Sequence, residues 1–187
     1  MTPEVACVLV VCTANRCRSP LAAALLRRHL GTTAVRVRSA GLLPGGEAVP
    51  EIGRQVASAA GLDLESHRST QVTSEMLEEA DLVLTASRAH AQELVARAPD
   101  LWPRVFTLRQ GERWWAEHPR DPSTSLRGWV EREAADRPRR EVIGASTADD
   151  IVDPFGRSRR VWRQVLAVTD AATASVARGI SGGDIGA

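Results

Sequence analysis

The sequence predicts an α/β protein. It should be a three-layer fold with a central four-stranded parallel sheet flanked by helices and a phosphate-binding loop after the first strand. Two observations predict it. Short apolar, β-branched runs alternate with stretches of helical periodicity, the pattern of repeated strand–helix units. The first of these units carries Cys12-Thr13-Ala14-Asn15-Arg16-Cys17-Arg18-Ser19-Pro20 between its strand and its helix. There, backbone N–H groups and a helix N-terminus make a ready anion site.

The first strand is expected over residues 6–11 and the loop over 12–18. Ser19 reads as a helix cap with Pro20 at the first helical position. Leu21, Leu25, Leu26 and Leu30 recur at helical spacing, and Gly31 ends the helix. Val35-Arg36-Val37-Arg38-Ser39 predicts the second strand, ended by Ala40-Gly41. A loop rich in Gly and Pro, 43–50, leads to a helix over 51–60. Thr73 caps a short helix through Glu79. Residues 81–85 predict the third strand, 88–97 a helix stopped by Pro99, and 105–108 the fourth strand. Between Glu112 and Asp150, Trp114, Trp115 and Trp129 mix with charges and with Pro119, Pro122 and Pro138. An irregular insertion with one or two helices is expected there, its tryptophans packed inward rather than offered to a partner. Val161, Trp162, Val165, Leu166, Thr169, Ala172 and Val176 form a helical stripe. A long helix over 158–177 should therefore lie on the sheet, followed by a frayed tail over 179–187.

A chain of 187 residues fits one domain with a substantial core, residues 1–187. A net charge of +1 gives no pull toward nucleic acid or anionic membrane. The apolar run at 5–11 is too short to insert in a bilayer, and a cytoplasmic location is expected. Cys7, Cys12 and Cys17 are odd in number and clustered, unlike a secreted disulfide framework. No histidine or fourth cysteine sits at ligand spacing, so neither a metal nor a cofactor is expected. Cys7 reads as a buried strand residue.

The chemistry sits at Cys12 and Arg18. A helix N-terminus favours a thiolate, which is the nucleophilic form of cysteine. An arginine closing the loop offers a planar fork to two phosphate oxygens. In a chain whose 24 basic residues are all arginine, the Cys-to-Arg spacing alone is weak. The strand, loop, cap and helix around it give it weight.

Together with the late Asp153-Pro154-Phe155, with Ser39-Ala40-Gly41, and with His67 followed by Gln71-Val72-Thr73, the loop resembles the low molecular weight protein tyrosine phosphatases. The resemblance implies that Cys12 attacks phosphorus to give a phosphocysteine, which water then hydrolyses. It implies that Arg18 and the amides of Thr13, Ala14, Asn15, Arg16 and Cys17 hold the equatorial oxygens. Asp153 is implied as the general acid, then the base for hydrolysis. Ser19 would support the nucleophile, and Asn15 would hold a left-handed turn backed by Ser39 and His67. Phe155 and Arg16 would line the substrate pocket, and Cys17 would form a reversible disulfide with Cys12. Asp121-Pro122 offers a second Asp-Pro, but no helix pattern follows it, so Asp153 is preferred.

The implied substrate is a phosphotyrosine-bearing protein, a tyrosine kinase among the candidates. Ala14, Arg16, Thr70 and Phe155-Gly156 depart from the family's usual residues and bear on the pocket for the ring. Three alternatives stand beside this reading. An arsenate reductase would need further cysteines after Cys17, and none occurs. A protein-arginine phosphatase would carry threonine where Arg16 stands. A non-catalytic phosphate-binding module would be expected to lose Cys12 or Asp153.

Overall fold

A computed structural model describes residues 5–182 except 119, 122, 136, 139, 142, 143 and 145, with the backbone alone at 116 and 117. Strand β1 (Ala6–Cys12) is flanked in parallel by β2 (Val35–Gly41) and β3 (Leu82–Thr85). Strand β4 (Val105–Thr107) extends the sheet beyond β3, giving the order β2-β1-β3-β4. Side chains alternate across β1, so its apolar run feeds two cores. Val8 and Val10 face one cluster with Leu21, Leu25, Val56, Trp115, Trp129 and Trp162. Leu9 and Val11 face the other with Leu77, Ala91, Leu94 and Leu101.

The first face is covered by α1 (Arg18–Leu30), α2 (Glu51–Ala59), α5 (Leu108–Glu117), α6 (Leu126–Ala134) and α7 (Arg159–Ile180). The second is covered by α3 (Ser74–Glu79), α4 (Arg88–Arg97) and a 3-10 turn at Pro99–Arg104. Caps expected from sequence form: Thr73 Oγ1 accepts from Met76 N, and Gly31 closes α1 at φ 56°.

Three expectations are corrected. Helix α1 begins at Arg18, with Cys17 at the cap position and no side-chain cap bond, so Ser19 is not its cap. The Ser19 hydroxyl is committed to the loop instead. Strand β4 stops at Thr107 because Thr107 and Gln110 form a capping box that starts α5 at Leu108. The one or two helices expected between 112 and 150 are α6 and most of α5, with Trp115 and Trp129 buried as expected. Pro119 and Pro122 lie outside the described residues. At the C-terminal end Gly179 and Ile180 are buried last-turn residues of α7 rather than a frayed tail. Residues 183–187 lie outside the described set.

The C-terminal ends of all four strands meet at one edge, with β1 between neighbours whose connections run in opposite directions. Ligands of parallel α/β sheets sit at this kind of edge. Cys12 stands there.

Candidate active site

Cys12 ends β1 and leads into a loop packed hard against the end of β2. A Cβ on Gly41 would lie 2.7 Å from Asn15 N and 2.8 Å from the Ala14 carbonyl carbon. Only glycine lets the loop come this close. Leu42 N and Leu43 N donate to the Cys12 and Thr13 carbonyls at 3.1 and 2.9 Å, stitching loop to strand end.

Asn15 is the keystone. It holds φ 51°, the left-handed region that asparagine tolerates best among residues with a Cβ. Both polar atoms of its side chain and its carbonyl are used. Its Nδ2 donates to Ser19 Oγ at 2.8 Å, its Oδ1 accepts from Thr70 N at 2.9 Å, and its carbonyl lies 2.8 Å from His67 Nε2. His67 thus stands where expected. Ser39 does not: among the described residues its side chain makes no hydrogen bond to the loop. The second strand supports the loop through Gly41 and the Ala40 carbonyl instead.

Ser19 Oγ lies 3.1 Å from Cys12 Sγ and 3.2 Å from the Ala40 carbonyl. It has one proton and already accepts from Asn15. Donating to a Cys12 thiolate therefore means releasing the Ala40 carbonyl. Burial pushes the second loop thiol, Cys17, up to about 12, with Asp153 and Cys12 adding to the rise. It is a neutral thiol at physiological pH.

Turning the chain at Asn15 aims its amides inward. Among the described residues, the N–H groups of Thr13 to Cys17 have no hydrogen-bond partner. Arg18 Nε is also buried without one. Its Nη2 donates to Thr13 Oγ1 at 3.1 Å and to Asp153 Oδ2 at 2.7 Å, and its Nη1 reaches the Ile151 carbonyl at 3.4 Å. These donors converge on a pocket of about 300 Å³ lined by Cys12, Thr13, Arg18, Asp153 and Phe155. Arg16 and Leu43 also line it. The Arg16 guanidinium sits 5.1 Å from the Phe155 ring centroid, and its Nε donates to the Ala48 carbonyl at 3.0 Å. Phe155 N donates to Asp153 Oδ1 at 3.1 Å, which orients the carboxylate.

Asp121 is elsewhere. Its carboxylate caps its own turn by accepting from Ser123. Its neighbours Arg120, Ser123 and Thr124 line a cleft with Ala6 and Val35, at the starts of β1 and β2. That is the opposite end of the sheet from Cys12, roughly 20 Å away at strand rise. The structure brings Asp153, not Asp121, to the thiol.

One group has no signal in the sequence. His90 Nε2 lies 2.9 Å from Thr13 Oγ1, and its Nδ1 lies 2.8 Å from the α4 cap Ser87 Oγ. Burial, with the nearby Arg18 charge, lowers His90 from 6.5 to about 4, so the ring is neutral at physiological pH. The two partners are 77 residues apart, which no local pattern reveals.

A thiol at the end of a parallel strand, wrapped by free amides and one arginine and faced by a carboxylate, defines a class: a cysteine-centred phosphate site. The comparisons place it further. The profile of the low molecular weight phosphotyrosine protein phosphatases matches residues 7–121, and the chain belongs to that family. The match ends before Asp153. The chain is 38% identical over 112 residues to a protein of Ralstonia solanacearum described as "Probable low molecular weight protein-tyrosine-phosphatase EpsP". That alignment covers 60% of this chain and 77% of the relative. The structure of the YwlE arginine phosphatase from Geobacillus stearothermophilus superposes with a TM-score of 0.68 at 26% identity, covering 92% of this chain and 91% of that one. Sulphate-bound tyrosine phosphatase Wzb from Escherichia coli K30 gives 0.66 at 26%, covering 92% and 96%.

Among the described residues, no helix is long and apolar enough to cross a membrane, and no cluster of three or more His, Cys, Asp or Glu could hold a metal ion.

Proposed function

We propose that the chain removes phosphate from phosphotyrosine in proteins through a phosphocysteine at Cys12. The observation that carries this is the convergence of Cys12, the unpaired loop amides, buried Arg18 Nε and Asp153 on one pocket. The Cys12 thiolate attacks phosphorus in line with the tyrosyl oxygen. Charge on the equatorial oxygens meets the loop N–H groups and Arg18. The S–P bond forms as the P–O bond breaks, and Asp153 delivers a proton to the departing phenolic oxygen. Asp153 then takes a proton from the water that splits the S–P bond, releasing phosphate and the thiolate.

Asp153 Oδ2 accepts from Arg18 Nη2. A phosphate dianion arriving at Arg18 competes with the carboxylate for that donor. It also places negative charge beside Asp153, which favours the proton the leaving oxygen needs. Arg16 and Phe155 frame the mouth with a cation and a ring. That pair suits a flat aromatic leaving group. It opposes the positively charged guanidinium of phosphoarginine, so the aromatic reading is preferred over the arginine phosphatase alternative. The protein partner is then a phosphotyrosine-bearing chain, with a tyrosine kinase as one candidate, met in the cytoplasm. Cys17, a neutral thiol in the same loop, can reduce a Cys12 sulfenic acid by forming a disulfide and releasing water, which makes oxidation reversible.

The test is hydrolysis of matched peptides bearing phosphotyrosine, phosphoserine and phosphoarginine, with Cys12→Ser as control. Phosphotyrosine should be turned over fastest and only by the cysteine enzyme. Preference for phosphoarginine would overturn the substrate reading while leaving the phosphocysteine chemistry standing.

A further inference from the structure

We propose that the Thr13 hydroxyl is a donor to the bound phosphoryl group, and that His90 aims it there from beneath the loop. Each proton along Ser87, His90 and Thr13 has one place to go, and the role of Thr13 rests on the phosphatase reading above.

Ser87 is buried, and its hydroxyl proton needs an acceptor. Among the described residues the only acceptor within reach is His90 Nδ1, 2.8 Å away. A neutral ring that accepts at Nδ1 carries its proton on Nε2. Nε2–H therefore donates to Thr13 Oγ1, 2.9 Å away. Arg18 Nη2 donates to the same oxygen at 3.1 Å. Both lone pairs of Thr13 Oγ1 are then occupied, and its own proton has one direction left. Thr13 lines the pocket, so the proton points to where an anion sits. Burial decides between the two tautomers. The opposite one would strand the buried Ser87 proton, whereas this one leaves a free proton only where phosphate or water can take it. The arrangement adds a side-chain donor to the main-chain amides. It also spends one Arg18 hydrogen on Thr13, which fixes the guanidinium relative to the loop.

Thr13 thus touches the phosphoryl group, and His90 is a positioning residue. The variants Thr13→Ser, Thr13→Val, His90→Gln and His90→Leu, and the double variant Thr13→Val/His90→Leu, test this. Inorganic phosphate affinity is measured by calorimetry, and kcat and KM on a phosphotyrosine peptide. Thr13→Val should weaken phosphate binding and lower kcat/KM on the order of 10- to 100-fold, the range for losing a hydrogen bond to a charged group. Thr13→Ser should keep most of both. His90→Leu should lose less than Thr13→Val, and His90→Gln, whose amide can still donate, should recover most of that loss. In the Thr13→Val background His90→Leu should add little, because both act through one hydroxyl. Losses that multiply in the double variant, or phosphate binding unchanged in Thr13→Val, would overturn the proposal. Should His90→Leu fail to fold, Thr13→Val against Thr13→Ser, with His90→Gln, decides the matter. A wild-type chain that binds phosphate with this pattern but hydrolyses no phosphotyrosine would overturn the substrate reading alone.

Discussion

On the nucleophile side of the pocket, Asn15 and Ser19 are fully buried, and both side-chain polar atoms and the carbonyl of Asn15 are bonded. On the acid side, the Asp153 side chain is 47% exposed and Phe155 is 55% exposed. Two bonds hold the Asp153 carboxylate, one from Arg18 and one from Phe155 N. The difference matches the two tasks. Stabilising transition-state charge needs donors fixed in advance. A general acid must exchange its proton between leaving group and water, which an exposed carboxylate can do. Losing a phosphate donor on the nucleophile side should therefore impair both binding and chemistry, whereas altering the sulfur itself or the acid side should impair mainly chemistry.

The largest effect should come from Cys12→Ser. The serine hydroxyl has no adjacent general base, so turnover of aryl phosphates should vanish while phosphate binding survives. Substantial residual turnover of the purified variant contradicts covalent catalysis. Asp153→Asn should slow poor leaving groups by roughly 10²–10⁴-fold. The loss should shrink with nitrophenyl phosphate, whose leaving group departs with less help. Asp121→Asn should be silent, since its carboxylate only closes its own turn. A silent Asp153→Asn beside a large Asp121→Asn loss would invert the assignment. Arg18→Lys should cost about 10²–10³-fold although charge is kept, because an ammonium cannot bond Thr13, Asp153 and phosphate as a fork does. It should also raise the phosphate inhibition constant, which Asp153→Asn should not.

Smaller effects fall on stability. Asn15→Ala takes the acceptor from the part-buried Thr70 N–H and one donor from the buried Ser19 hydroxyl, and should cost about 1–3 kcal/mol by denaturant unfolding. Full activity in that variant would deny that the loop depends on it. His90 gives a pH signature. Its folded value of about 4 lies below the ordinary 6.5. Between those values the unfolded chain takes up a proton that the folded chain refuses. Stability should therefore fall as pH drops from about 6.5 to about 4. His90→Gln should flatten that slope, and an unchanged slope would mean that His90 is not held neutral.

Much of the nucleophile side was legible in the sequence because its parts are neighbours in the chain. Strand, Cys12, Asn15, Arg18 and helix follow one another within a few residues, so the loop's chemistry is a local pattern. Ser19 shows the limit: cap preference is also local, and it named a hydroxyl that the loop had already claimed. The acid side was legible only through the resemblance, since 135 residues separate Arg18 from Asp153. His90 and Gly41 were missed as site residues for the same reason. Their roles come from atoms brought close by sheet pairing, with Cys12 registered to Gly41. In the region of α5 and α6 prolines and charges obscured the bounds of the helices but not their presence, and the inward packing of their tryptophans was read correctly.

The most direct test of the account is to catch the intermediate. Rapid acid quench of Asp153→Asn during turnover of nitrophenyl phosphate, followed by peptide mass mapping, should find phosphate on the peptide containing Cys12. Its amount should match the initial burst of nitrophenolate, because the same carboxylate is needed to hydrolyse the S–P bond. A burst with no phosphate on Cys12, or phosphate found on another residue, would contradict it.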